Sequence, residues 1–227
     1  CLPSWGVPVA RSWPLGMSQP TDRNRRVLLV GGASALALGA APALAALAPT
    51  PGQTRGPFYP PKPPLDSDND LVRVDGRAGL AAGVITDLAG RVLDRSGEPV
   101  DDATVEIWQC DANGRYHHPS ARKQGRDPDF QGFGTFTTGT DGQYRFRTIK
   151  PVPYPGRTPH IHFRVVAPGM PELITQMYIA GHPQNAGDWI FNSAGDARSR
   201  LAVAFEPADD EDAERRARFD IVIGRSG

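Results

Sequence analysis

Cysteine is almost missing from this chain. Its 227 residues hold two, Cys1 and Cys110, too few for a disulfide framework. An excess of charge is missing as well. The 25 Lys and Arg balance the 25 Asp and Glu, so nothing resembles the basic footprint of a nucleic-acid binder, and no nucleic-acid partner is expected. No internal repeat is visible. What is present is ordinary globular material: 39% hydrophobic residues, enough for a real core, in a length that suits one domain or one domain with a leader.

The first 48 residues differ in character from the rest. The chain does not open with methionine, and Met17 reads as the natural start, with 1–16 as upstream residues. From Met17 a polar, charged stretch leads into TDRNRRVLLV and then GGASALALGAAPALAALA. That order is an n-region, an apolar h-region and small-residue cleavage sites near Ala45 or Ala48. Arg25-Arg26 directly before Val27-Leu28-Leu29 resembles a twin-arginine export signal, so residues 17–48 are expected to direct export to the periplasm or exterior. A membrane anchor is the competing reading, since Val27 to Ala48 is long enough to span. Its Gly and Ala richness makes it a weak span, and no stable membrane insertion is expected after processing. Losing 1–48 removes four arginines and one aspartate. The 25 basic residues become 21 and the 25 acidic ones 24, a balance near −3. Cys110 is then the sole cysteine, which excludes an internal disulfide.

Residues 49–70, PTPGQTRGPFYPPKPPLDSDND, are proline-rich and read as an extended arm. Residues 71–227 form the expected main domain. They contain short β signals, GVITDLAGRVLD, ATVEIWQC, GTFTTG, QYRFRTI, HIHFRVVAP, LITQMYIA and RFDIVI. Gly, Asp, Asn and Pro punctuate them every eight to twelve residues. The expectation is an all-β fold, an antiparallel sandwich or barrel. ADDEDAERRARF reads as a short surface helix with a solvated charged face.

The segment PVPYPGRTPHIHFRV, residues 151–165, carries the chemistry. Side chains alternate along a strand, so His160 and His162 share one face with Ile161 opposite. Two imidazoles on one face can be half of a metal site, or a purely structural pair. Tyrosine adds to the first reading. Tyr144 and Tyr178 sit in strand-like contexts and read as packed, whereas Tyr116 in DANGRYHHP and Tyr154 in PVPYPGR lie in turns. A phenolate is a hard oxygen donor that needs a strongly charged cation to lose its proton near neutral pH. Two phenolates with two imidazoles suit Fe(III) better than Zn(II). His117 and His118 read as rim or solvent-facing residues and His182 as a loop residue. Trp108 reads as packing near the site, and Cys110 as a small buried hydrophobe.

GRYHH, DPDFQGFGTFTTGTDGQYRFRTIKPVPYPGRTPHIHF and LITQMYIAG closely resemble the intradiol ring-cleavage dioxygenases, nearest to their protocatechuate branch. The likeness runs over roughly residues 54–181. It implies a prealbumin-like antiparallel β-sandwich with long loops and an extended N-terminal arm, holding non-haem Fe(III). It places Tyr116, Tyr154, His160 and His162 on the iron ligands and Arg157 on an arginine facing the substrate. Gln176 falls on an active-site glutamine, and Gly56-Pro57-Phe58-Tyr59 resembles an arm that reaches the pocket. The implied reaction cleaves a catechol-type diol with O2 between its hydroxylated carbons, giving a muconate-type diacid, and Tyr154 is the ligand that substrate displaces. The implied partners are a small aromatic diol and O2, with homo-oligomer formation left open. Tyr154 and His160 stand only six positions apart, less than the protocatechuate branch carries, so the identity of the diol also stays open. The export signal suits secreted members of the family. A non-catalytic prealbumin-like binding module is the alternative, because GRVLDRSGEPVDDATVEIW alone fits one equally well. The two tyrosines and the H-x-H pair together distinguish the enzyme. A copper or zinc H-x-H oxidase lacks a third histidine in a comparable strand.

Overall fold

Among the described residues, ten strands follow one another: β1 Ile85–Leu93, β2 Thr104–Trp108, β3 Phe133–Thr137, β4 Gln143–Ile149, β5 His160–Val166, β6 Leu173–Ile179, β7 Ala202–Val203, β8 Phe205–Pro207, β9 Arg215–Arg218 and β10 Ile221–Val222. A short α-helix, α1 Trp189–Ser193, lies between 3₁₀ turns at Pro183–Gly187 and Gly195–Leu201. This computed structural model describes residues 45–62, 64, 66–209 and 212–224. The upstream segment 1–16 and all but the last four residues of the expected signal segment 17–48 lie outside them. Among the described residues no helix is long and apolar enough to cross a membrane.

The strands build two sheets. In sheet one, β1 pairs over Ile85–Arg91 with antiparallel β4. Its other edge is filled in parallel, first by β9 and then by β10. In sheet two the order is β3-β2-β5-β6-β7; β2, β3, β5 and β6 are antiparallel neighbours, and only β7 joins in parallel. The architecture is the expected β-sandwich, with mixed sheets where pure antiparallel pairing was anticipated. The chain changes sheets between β3 and β4, in the turn at TDGQ. Gly142 holds φ 66 there, and a side chain would bring a Cβ to 2.6 Å from the Val92 carbonyl oxygen. Only glycine meets both demands without strain.

The core lies between the sheets. Leu88 and Val92 of β1 and Tyr144 and Phe146 of β4 meet Val105 and Ile107 of β2, and Ile161, Phe163 and Val165 of β5. Phe163 is central: its ring lies 5.1 Å from that of Phe219 and 6.1 Å from that of Tyr144. Tyr144 is a packed strand residue as expected, with its hydroxyl donating to the Phe219 carbonyl.

The charged segment 208–219 is not a helix. Its C-terminal part is β9, and burial recurs at every second residue through Ala217, Phe219, Ile221 and Ile223. That is the period of a strand, and the β1 edge supplies the backbone partners that a free surface helix would have lacked.

Close approach at β1 yields a test. A Cβ on Gly90 would overlap the Phe219 carbonyl oxygen and come within 2.7 Å of the Tyr144 hydroxyl, while one on Gly139 meets nothing within 4 Å. Gly90→Ala is expected to lower stability by about 1–3 kcal/mol through overpacking. Gly139→Ala is expected to leave the urea midpoint within experimental error.

Candidate active site

β5 is buried on both sides. Ile161, Phe163 and Val165 enter the core, and the alternation turns His160, His162 and Arg164 to the other face of sheet two. Strand register fills in that face. Trp108 stands across from His162 on β2, and Gln176 stands across from it on β6. Tyr178 is opposite His160, and Glu106 is opposite Arg164. The arm covers this face, together with the loop carrying Tyr116, the turn carrying Tyr154 and Arg157, and the segment around Asp188. A second apolar cluster forms beneath them from Trp108, Cys110, Tyr116 and Phe133, with Phe58 and Tyr154 packed against it.

The two histidines and two tyrosines converge. The His160 and His162 Nε2 atoms are 3.2 Å apart, and the Tyr116 hydroxyl is 3.4 Å from His160 Nε2. The Tyr154 ring stands edge-on to that of Tyr116, centroids 5.6 Å apart, and its centroid lies 5.5 Å from that of His160. Two donors each about 2.1 Å from one ion stand roughly 3.0–3.4 Å apart at right to tetrahedral angles, so this spacing fits a shared metal. The tautomer fits as well. His160 Nδ1 lies 2.7 Å from the Thr158 carbonyl, which can only accept, so Nδ1 carries the proton and Nε2 presents its lone pair. His162 is flattened against Trp108, rings 4.7 Å apart and 7° from parallel. Among the described residues no group of three or more His, Cys, Asp or Glu is placed to hold a metal ion. The oxygen beside these imidazoles is the Tyr116 hydroxyl.

The electrostatics favour neutral groups. Burial, then the Arg157 charge, pulls the His160 imidazole down to about 4. Burial, then His160 and Arg157, holds His162 well below its ordinary value. Burial, then Tyr154, pushes the Tyr116 phenol well above its ordinary value. Burial also raises Tyr154, with Arg157 working against it. Neutral imidazoles are ready ligands, whereas the phenols surrender protons only to a strong positive charge.

Arg157 is tightly engaged. Its Nε donates to Asp188 Oδ2 at 2.8 Å and its Nη2 to Gln176 Oε1 at 2.7 Å. Asp188 also accepts from Thr158 N and, as the cap of α1, from Phe191 N. Burial works to raise the Asp188 carboxyl, but these hydrogen bonds outweigh it and hold the carboxyl below the usual range. Gln176 is spent on both sides, since its Nε2 donates to the Thr54 carbonyl of the arm. A cavity of about 630 Å³ opens to solvent beside Tyr154, Arg157, Thr158 and Asp188. A second, of about 390 Å³, lies among Phe58, Trp108, Tyr116 and Phe133.

All six residues singled out from the sequence therefore meet in one place. Three others belong with them. Asp188 was unmarked, although an Asp before WIF is a helix-cap signal. Tyr178, expected only to pack, sends its hydroxyl to Gln53 and Gln176. Phe58 stacks on Tyr116 at 4.5 Å and 20°. His118 is half-buried and hydrogen-bonds Ser120, and His182 caps the turn at Pro183. His117 is half-buried near Asp111. Cys110 is buried, and burial pushes its thiol up to about 12, which suits a packing role.

Comparison with known proteins bears on this geometry. Residues 54–225 match the family described as dioxygenase. The chain is 39% identical over 167 residues to the protocatechuate 3,4-dioxygenase beta chain of Burkholderia cepacia, covering 69% of this chain and 71% of that one. It is 32% identical over 198 residues to a hydroxyquinol 1,2-dioxygenase of Corynebacterium glutamicum, covering 74% of this chain but only 61% of the relative. Among solved structures, the dioxygenase domain of a dioxygenase carbohydrate-binding protein fusion from Streptomyces sp. SirexAA-E superposes with a TM-score of 0.62. It is 33% identical, over 79% of this chain and all of that one. Catechol 1,2-dioxygenase from Acinetobacter sp. ADP1, inhibited by bound mercury, gives 0.61 at 28% identity, over 78% of this chain and 63% of that one.

The depressed imidazoles give a pH dependence in metal-free protein. Each folded pKa lies below the unfolded value near 6.5, so the unfolded chain binds more protons as pH falls. Stability present above about 6.5 should be lost as pH falls from there through about 4. The slope should reach about 1.4 kcal/mol per pH unit for each histidine. Urea midpoints of His162→Phe across this window should show a shallower slope than wild type.

Proposed function

The chain belongs to the intradiol ring-cleavage dioxygenase family, and from that premise we propose that it is a non-haem Fe(III) enzyme whose centre is held by Tyr116, Tyr154, His160 and His162. The observation that carries this reading is the convergence of two imidazole nitrogens and the Tyr116 hydroxyl at ligand spacing, with the Tyr154 ring beside His160. By likeness to relatives named for protocatechuate, hydroxyquinol and catechol, the substrate is an ortho-diol. It takes up both atoms of O2 as the bond between its hydroxylated carbons breaks, giving a muconate-type diacid. The binding-module alternative is not favoured, since the named relatives are ring-cleaving dioxygenases.

When bound, ferric iron would withdraw electron density from the diol ring and open it to O2. The protein's own part follows from its side chains. Tyr154 borders the open cavity from a Pro-Tyr-Pro-Gly turn, where it can swing without disturbing a strand, and as a phenolate it accepts a substrate hydroxyl proton at Oη. Tyr116, sandwiched under Phe58, stays in place. Arg157 stabilises negative charge that develops on the diol. Asp188 and Gln176 fix the guanidinium, so its position is set before substrate arrives.

Purified protein should carry about one iron per chain and a visible phenolate-to-iron band. Protein that stays colourless and metal-free after aerobic iron loading would sink the reading. Arg157→Lys keeps a charge but loses the planar fork; turnover should fall roughly 100-fold while iron content holds. Equal loss of iron and turnover would make Arg157 structural.

Tyr154→Phe should retain iron and lose turnover by about 10²–10⁴. A diol complex showing Tyr116 displaced instead would reverse the two tyrosine roles.

A further inference from the structure

The arm residues Arg55 and Tyr59 flank Gly56-Pro57-Phe58, and a closed ring of side chains grips both ends. The Tyr59 hydroxyl donates to Glu106 Oε2 at 2.8 Å, and Arg164 Nη1 donates to Glu106 Oε1 at 3.0 Å. Arg164 Nε also donates to Glu172, at 2.6 Å, and Arg55 Nη2 reaches the same carboxylate oxygen at 3.1 Å. The Arg55 guanidinium closes the ring 4.9 Å over the Tyr59 ring. Glu106 is the better shielded carboxylate, at 13% side-chain exposure against 39% for Glu172. Its bonds are therefore less weakened by water than those of a surface pair. Burial, then Glu106, raises the Tyr59 phenol, so Tyr59 stays protonated and remains a donor.

Between the two gripped ends the arm bends over the site. Gly56, at φ 71, lies so close to His162 that a Cβ would stand 3.2 Å from its Cε1. Phe58 plates Tyr116 face to face but meets Tyr154 only edge-on, at 6.4 Å. The ring therefore acts unequally on the two phenols. It holds a lid on Tyr116 and leaves Tyr154 beside the open cavity.

We propose that this ring is a latch, in which Glu106, by joining Tyr59 to Arg164, sets the position of Gly56 and Phe58 over His162 and Tyr116 and serves as a positioning residue for ring cleavage. The proposal rests on the reading of Tyr116 and His162 as ligands. Glu106 and Arg164 share the strands and the face of Trp108 and His162, two residues away along each strand, so the latch and the site are built on the same pair of β-strands.

The test compares Glu106→Ala, Glu106→Gln and Tyr59→Phe with Arg77→Ala, which breaks the separate Arg77–Asp129 pair. In iron-loaded protein, Glu106→Ala and Tyr59→Phe should lower kcat roughly 10- to 100-fold. Their KM should hold within about twofold, with iron content unchanged and the visible band shifted. Glu106→Gln, which can still accept from Tyr59, should recover part of the loss. Metal-free protein labelled with fluorotyrosine gives a readout that needs no iron. The Tyr116 resonance, identified by its loss in Tyr116→Phe, should shift in Glu106→Ala and Tyr59→Phe and stay in place in Arg77→Ala. An unmoved Tyr116 resonance with unchanged kcat, accompanied only by a lower unfolding midpoint, would overturn the latch. Should Glu106→Ala not fold, Tyr59→Phe, which removes one hydroxyl, decides alone. Should wild type hold no iron and cleave no diol, the functional reading fails separately, and the fluorine spectrum still decides the latch.

Discussion

The structure depends on strand β5 being buried on both faces at once. Few strands in a two-layer sandwich are, because one face of each sheet ordinarily meets water. Here Ile161, Phe163 and Val165 complete the core while His160 and His162 support the site. A one-residue slip of register would exchange the two sets, putting imidazoles into hydrocarbon and isoleucine into the site. Core packing and site geometry are thus specified by the same seven residues. Phe163 packs against Phe219 and Tyr144 on the core side of the strand whose other face carries the two nitrogens 3.2 Å apart.

The other groups of the candidate site lie off that strand. Tyr116 and Tyr154 come from turns, Arg157 from the connection into β5, and Asp188 from the cap of a short helix. The frame fixes the imidazoles, and the loops bring the phenols and the guanidinium. Burial serves both kinds. It keeps the histidines neutral and available, and it leaves the phenols protonated until a cation compensates them. Arg157 is a permanent positive charge beside them, and Asp188, which lines the same cavity, offsets it at 2.8 Å.

How much of this was readable in the sequence varied with distance along the chain. HIHFRVV announces its own alternation, and Tyr154, Arg157, His160 and His162 fall within nine residues, so their meeting is nearly local. Tyr116 was separable from Tyr144 and Tyr178 by its turn context. Asp188 was not readable as a partner, because it stands 31 positions from Arg157 and only the fold closes that gap. Tyr178 packs as expected, but its hydroxyl contacts with Gln53 and Gln176 were not readable, since an apolar strand pattern shows that a residue is buried but not what its polar tip meets. ADDEDAERRARF suggested a helix through its charges. The period-two burial of Ala217, Phe219, Ile221 and Ile223 begins inside that segment and decided otherwise. The grip of Tyr59 on Glu106 spans 47 residues and left no mark in either local pattern.

The way sheet one closes has a consequence for synthesis. The second edge of β1 is filled only by β9 and β10, residues 215–222, and Thr50 at the head of the arm exchanges hydrogen bonds with Val222. A nascent chain can pair β1 with β4 early, but Leu88 and Val92 have no complete neighbourhood until residues 215–222 have emerged from the ribosome. Completion of this sheet therefore waits on them, and until then β1 presents an unfilled parallel edge.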